Sequence, residues 1–187
     1  MVFHLGTKPV AIRQGRVELA TGESLAADLV VMGAGVTPET ELAARAGLTI
    51  DRGVQVNAYL QTSDAAIFAA GDIARWPDPH SGSPIRVEHW VVAQRQAQTA
   101  ARNMLGARQP FDAVPFFWSA HFDVSISYVG HAETWTHLVI DGKPKAHDCR
   151  VDYGRGEKRL AVATVNRDRA SLLAEVEMET ADSRRQI

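Results

Sequence analysis

In the stretch "TSDAAIFAAGDIARW", residues 62–76, a short apolar run ends in Ala-Gly-Asp and delivers one carboxylate, Asp72, directly after Gly71. Two chemistries fit it. Asp is a preferred helix cap, whose oxygen takes up free backbone N–H groups. Alternatively, the run is a strand ending at the carboxyl edge of an α/β sheet, where ligands bind, and Asp72 reaches a polar ligand. A second candidate is "VVMGAGVTP", residues 30–38, where Gly33 and Gly35 suggest a phosphate-binding turn. Pro38 stands where the third glycine of that pattern belongs, so the residues by themselves favour a strand-to-helix turn without a ligand. Third, Glu88, His89 and Trp90 open a predicted helix. Its free N–H groups and positive dipole end favour an anion or a polarised carbonyl; His89 and Trp90 also suit packing at a domain seam.

Other constellations are set aside. Ser119, His121 and Asp123 alternate along a predicted strand, but side-by-side neighbours do not make the nucleophile–base–orienter geometry of a hydrolase. The 7 histidines are scattered without ligand spacing, and the one cysteine, Cys149, offers no cluster, so no metal site is expected. A lone cysteine also forms no internal disulfide and no Cys-x-x-Cys pair. Residues 143–169 hold eight Lys/Arg against four Asp/Glu, a solvated face or a surface for an acidic protein partner. A net charge of −2 gives no bulk attraction to nucleic acid, and no apolar run is long enough to span a bilayer. With 187 residues and 45% apolar content, the chain can bury a real core. A cytoplasmic protein without an export signal is the expectation.

The elements that must position these groups follow from periodicity and punctuation. "KPVAIRQG" and the residues after it read as strands joined at Gly15 and Gly22. "LVVM" is a continuous apolar run, as expected of a strand buried on both faces. Thr37 as cap, Pro38 at the first helical position and Gly47 as terminator predict a short helix. "LTIDRGVQVNAYLQTS" reads as two short strands around the Asp51-Arg52-Gly53 turn, and "AAIFAAGD" as the next strand. After "WPDPHSGSPIR", a loop, a second helix is predicted over residues 88–105, closed by Gly106. Ala93, Ala97, Ala100 and Ala101 form a small-residue stripe along it. "GARQPFDAVP" reads as a linker, with a domain boundary near residue 110. From Phe116 onward come short strands, "FFWSAHF", "SISYVG", "HLVID", "DCRVDYG" and "KRLAVATVN", and then a helix over "SLLAEVEMETADS".

The order of "ADLVVMGAGVTPETELAARAGL", "GVQVNAYLQTSDAAIFAAGDIA", "VEHWVVAQRQAQTAARNMLG" and "PFFWSAHFD" resembles the pyridine nucleotide–disulfide oxidoreductase superfamily. Within it, the likeness is to the branch of ferredoxin reductases and apoptosis-inducing-factor-like reductases. It covers nearly the whole chain. "TSDAAIFAAGD" is the specific motif, and "FFWS" narrows the branch.

The resemblance implies an α/β fold with an added α+β part. That is the C-terminal portion of a glutathione-reductase-like FAD/NAD(P)-binding domain, followed by a small α+β reductase C-terminal domain. Residues 1–33 would close the NAD(P)-binding domain, 34–108 form the second half of the FAD-binding domain, and 109–187 the C-terminal domain. Asp72 would bond the ribityl chain of FAD, and Gly71 would let the backbone approach it. Glu88, His89 and Trp90 would open the helix facing the flavin pyrimidine edge, and Trp118 would lie against the isoalloxazine. Gly33 and Gly35, with Pro38, match the segment where the chain passes from the NAD domain back to the FAD domain. FAD and NAD(P)H are the implied cofactors, and a ferredoxin or Rieske-type iron–sulfur protein is the implied partner. Hydride would pass from NAD(P)H to the flavin and electrons would leave singly, with no side chain acting as acid or base.

The two Gly-x-Gly-x-x-Gly fingerprints of a complete reductase do not occur here, so the expectation is a fragment or a half completed by another chain. Uncovered apolar faces would then favour a homo-oligomer. The rival expectation is a non-catalytic dimerisation or partner-docking module that binds no flavin by itself.

Overall fold

The computed structural model describes residues 1–183 and divides into two compact units, Met1–Thr37 and Pro38–Ile187. In the first unit, β1 (Pro9–Arg13), β2 (Arg16–Leu19) and β3 (Ser24–Ala26) form an antiparallel meander in the order β1-β2-β3. Gly15 and Gly22 take positive φ at the connections, as the sequence predicts. "LVVM" departs from expectation. Residues 29–32 form no strand, and Leu29, Val31 and Met32 are exposed. A strand buried on both faces exists only between neighbours, and none of the described strands pairs with this segment.

In the second unit, the first helix starts later than predicted. Helix α1 (Glu41–Arg45) has Thr40, not Thr37, at its cap position, with no side-chain capping bond there. The Glu39 carboxylate instead accepts the Glu41 N–H, at 2.9 Å. Gly47 ends the helix at φ +76°.

Strand β4 (Val54–Gln55) pairs in parallel with β5 (Ala74–Asp78), which pairs antiparallel with β6 (Ser83–Ile85). This corrects two readings. "AAIFAAGD" is not a strand. It makes a single bridge from Phe68 to Gln61 and then a 3₁₀ turn, Gly71–Ile73. The strand lies after Asp72, where Trp76 is buried against Phe111. "WPDPHSGSPIR" is a hairpin rather than a loop. The Asp78 carboxylate holds its turn by accepting the Ser81 N–H at 2.7 Å.

Helix α2 (Trp90–Met104) lies within the predicted span and ends at Gly106, φ +89°. Its buried face takes only part of the alanine stripe: Ala97 and Ala101 are exposed and Ala93 is half-buried, while Ala100 is buried together with Val92, Gln96, Thr99 and Asn103. Asn103 explains why "GARQPFDAVP" is no free linker. It donates to the Tyr59 and Gln109 carbonyls and accepts the Gln109 N–H at 2.6 Å, which leads Phe111 into the core.

Strands β7 (Phe116–His121), β8 (Val124–Gly130), β9 (His137–Lys143), β10 (Asp148–Arg155) and β11 (Lys158–Val165) form an antiparallel sheet in the order β7-β8-β11-β10-β9. Helix α3 (Asp168–Ser183) covers one face of it, with Met178 packed on Val114 and Val129. The five strands and this helix follow the predicted segments. An ion pair, Arg95 to Glu175 at 3.0 Å, ties α2 to α3. Among the described residues no helix is long and apolar enough to cross a membrane.

Candidate functional site

Six of the predicted residues meet in one region of the second unit: Gly71, Asp72, Glu88, His89, Trp90 and Trp118. Gly71 has φ +79°, a conformation that favours glycine, and an added Cβ would lie 3.4 Å from the Ala93 side chain. The turn is therefore seated directly on α2. Asp72 follows with its side chain exposed. It does not cap through its side chain, and neither does any other residue at this 3₁₀ turn.

The start of α2 faces the same region. His89 is the cap residue in an extended conformation, and no side chain caps the helix. Its first N–H groups thus remain available, with the positive dipole end behind them. Trp90 and Trp118 are 68% and 50% exposed, with ring centroids 6.2 Å apart. Phe116 stacks beside Trp118 at 6.0 Å. Successive strand residues point to opposite faces, so Phe117 turns the other way and meets the His89 ring at 4.5 Å. His89 and Trp90 therefore straddle β7, an edge strand of its sheet. Two indoles left open to solvent form an aromatic surface on which a planar ring can lie.

The electrostatics follow from these neighbours. Burial, and then the nearby His131, push the His89 imidazole below the ordinary histidine value, against the opposing pull of Asp72 and Glu88. A neutral imidazole suits a helix N-terminus, where a second positive charge would be repelled. Its Nδ1 is buried without a hydrogen-bond partner among the described residues. Glu88 is held by Arg86, whose Nη1 lies 2.8 Å from its Oε1.

Sequence reading missed Arg86, Gln96, Phe117 and His131. Arg86 carried a signal, a cation two residues before Glu88. Gln96 carried a weaker one, a polar residue on the buried helix face. Gly33 and Gly35 lie in the first unit, outside helix and strand. Gly35 has φ +81°, and a Cβ at either position meets open space.

Two other readings are resolved here. Ser119 Oγ and His121 Nε2 do touch, at 3.0 Å, but Asp123 sits in the hairpin turn after β7 rather than on the strand. Four of the eight Lys/Arg in residues 143–169 are engaged within the protein. Arg150 and Arg159 each lie 2.7 Å from Asp152, Arg167 pairs with Asp141 and Asp148, and Arg155 bonds to Thr134. A cavity of about 450 Å³ opens beside this network, far from the aromatic surface in the sheet order. Arg150, Arg159, Asp152 and Glu177 in its wall pair with one another, so the Asp72 region is the better-equipped site. Among the described residues no group of three or more His, Cys, Asp or Glu is placed to hold a metal ion.

Residues 1–97 match the pyridine nucleotide-disulphide oxidoreductase family, and residues 116–184 match the reductase C-terminal family. The chain is 38% identical over 170 residues to the ferredoxin–NAD(+) reductase component of an anthranilate 1,2-dioxygenase system from Burkholderia cepacia, covering 88% of this chain and 42% of that protein. It is 38% identical over 146 residues to putidaredoxin reductase of Pseudomonas putida, covering 78% and 35% respectively. Among solved structures, the covalent putidaredoxin reductase–putidaredoxin complex superposes with a TM-score of 0.86 at 33% identity, over 94% of this chain and 44% of that one. The chain spans less than half the length of these relatives.

Proposed function

Because the chain belongs to the pyridine nucleotide-disulphide oxidoreductase family, we propose that it forms the C-terminal portion of an FAD-dependent NAD(P)H oxidoreductase. The electrons would go to a ferredoxin or Rieske-type iron–sulfur acceptor. In this reading residues 1–33 close the NAD(P)-binding domain, 34–108 are the second half of the FAD-binding domain, and 109–187 are the reductase C-terminal domain. A cytoplasmic location, where NAD(P)H is supplied, goes with it.

One observation carries the proposal. A glycine-dependent turn bearing an exposed carboxylate, an uncapped helix start and two exposed indoles converge on one region. Those residues fit FAD in three ways. Asp72 accepts hydrogen bonds from ribityl hydroxyls, the first N–H groups of α2 donate to the electron-rich edge of the flavin, and Trp118 covers a planar ring. Bound FAD would supply the redox chemistry, taking a hydride from NAD(P)H and releasing electrons one at a time. The protein's own part is to bind, orient and shield; none of these side chains needs to transfer a proton. Gly33 and Gly35 are assigned here to the return of the chain from the NAD to the FAD domain.

The experiment is to purify the reductase polypeptide that carries this chain and record its flavin absorbance, then its NAD(P)H-dependent reduction of a ferredoxin. A colourless protein that takes up no added FAD overturns the reading.

A further inference from the structure

We propose that Gln96 and Arg86 are positioning residues that hold the backbone on both sides of Asp72, so that its carboxylate is presented in one fixed direction; the proposal rests on the reading of the site given above. Gln96 is 0% exposed in the middle of α2. Its Oε1 accepts the Gly71 N–H at 2.7 Å, across 25 residues of sequence. Burying a carboxamide costs free energy unless its polar atoms are paired. The Gln96 Nε2 has no partner among the described residues. An apolar side chain of similar size would serve the helix better at that position. What the carboxamide adds is one acceptor, aimed at the N–H of the residue before Asp72.

Arg86 works from the other side. Its Nη1 donates to the Asp72 carbonyl at 2.8 Å and to Glu88 Oε1 at 2.8 Å. One guanidinium nitrogen thus joins the turn to the segment entering α2. The close approach of the Gly71 backbone to α2, where an added Cβ would lie 3.4 Å from the Ala93 side chain, supplies a third restraint. The main chain is fixed before and after Asp72, while the carboxylate itself stays open to solvent. A group held this way loses little freedom when it binds a ligand.

The test is FAD affinity of the reductase polypeptide carrying this chain, by fluorescence titration. The proteins compared are wild type, Asp72→Ala, Gln96→Leu, Arg86→Met, and each of the last two combined with Asp72→Ala. Gln96→Leu and Arg86→Met are each expected to weaken binding about ten-fold, as for the loss of one hydrogen bond. Neither is expected to weaken it further once Asp72 is gone, because residues that act through one group are not additive. Amide exchange at Gly71, measured without flavin, should speed up in Gln96→Leu and not in Asp72→Ala. Wild-type affinity in both Gln96→Leu and Arg86→Met, with Asp72→Ala impaired, overturns the proposal. So do effects that simply add in the double variants. Unchanged affinity in Asp72→Ala instead overturns the functional reading, while Gly71 exchange still decides whether Gln96 holds the turn. Arg86 is partly exposed, so Arg86→Met carries the test if Gln96→Leu fails to fold.

Discussion

Trp90, the first residue of α2, and Trp118, on the edge strand β7, face each other with ring centroids 6.2 Å apart and planes at 47°. Helix and sheet each contribute one indole, and both are left open to solvent. Core aromatics rarely remain so exposed, and an open aromatic pair marks a surface made for a ligand or partner.

Removing Trp118 should therefore affect binding more than folding. Trp118→Ala is expected to lower FAD affinity while leaving the melting temperature within a few degrees, since half-exposed side chains typically cost less than about 1 kcal/mol when truncated. Flavin titration beside thermal unfolding checks both arms. A large loss of stability with unchanged affinity would make Trp118 a packing residue.

Asp72→Ala should weaken FAD retention by roughly 1–3 kcal/mol, the cost of leaving ribityl hydroxyls without their acceptor. The same change should barely affect stability, because the carboxylate is exposed. Equal flavin affinity in mutant and wild type counts decisively against the assignment.

His89 provides a pH signature. Its folded imidazole titrates below the ordinary value of 6.5, chiefly through burial and then through His131. Just below that value, the unfolded chain holds more protons than the folded one. Stability associated with neutral His89 is complete above 6.5 and falls as pH drops through the folded midpoint. An NMR titration should place the His89 midpoint below 6.5. His131→Asn should raise it and Asp72→Ala should lower it further, since Asp72 pulls the other way. A midpoint that ignores both changes shows that neither charge reaches the ring.

Trp76 tests the core. It is fully buried against Phe111 at 5.7 Å in a T-shaped contact. Trp76→Ala should destabilise the protein by about 3–5 kcal/mol, as for large aromatic truncations in a packed core. Denaturant unfolding measures it, and a loss under 1 kcal/mol would contradict the packing described.

Residues 1–187 expressed alone should bind FAD weakly or not at all and should self-associate. The pyrophosphate of a dinucleotide is normally held at a glycine-rich turn and helix start, and no complete Gly-x-Gly-x-x-Gly motif lies in this stretch. Leu29, Val31 and Met32 are exposed, and such apolar surface promotes association. Calorimetric titration with FAD alongside light scattering checks both statements. A monodisperse monomer with stoichiometric, sub-micromolar FAD contradicts them.

Local pattern alone marked out the strands of the C-terminal sheet and helix α2. The β-branched and aromatic residues of "SISYVG" and "KRLAVATVN" and the stop at Gly106 are properties of neighbours in sequence, and the backbone obeys them without needing distant partners. The tertiary structure decided the rest. "LVVM" has the composition of a buried strand, but none of the described strands pairs with it. "AAIFAAGD" yields its place to the residues after Asp72, because pairing with β4 begins at Ala74 and pairing with β6 at Trp76. The buried face of α2 is partly polar, since Gln96 and Asn103 bond to backbone far away in sequence. Periodicity tells which side of an element is covered. It does not tell what covers it, because a hydrogen bond such as Gly71 to Gln96 depends on two segments whose approach only the folded chain creates.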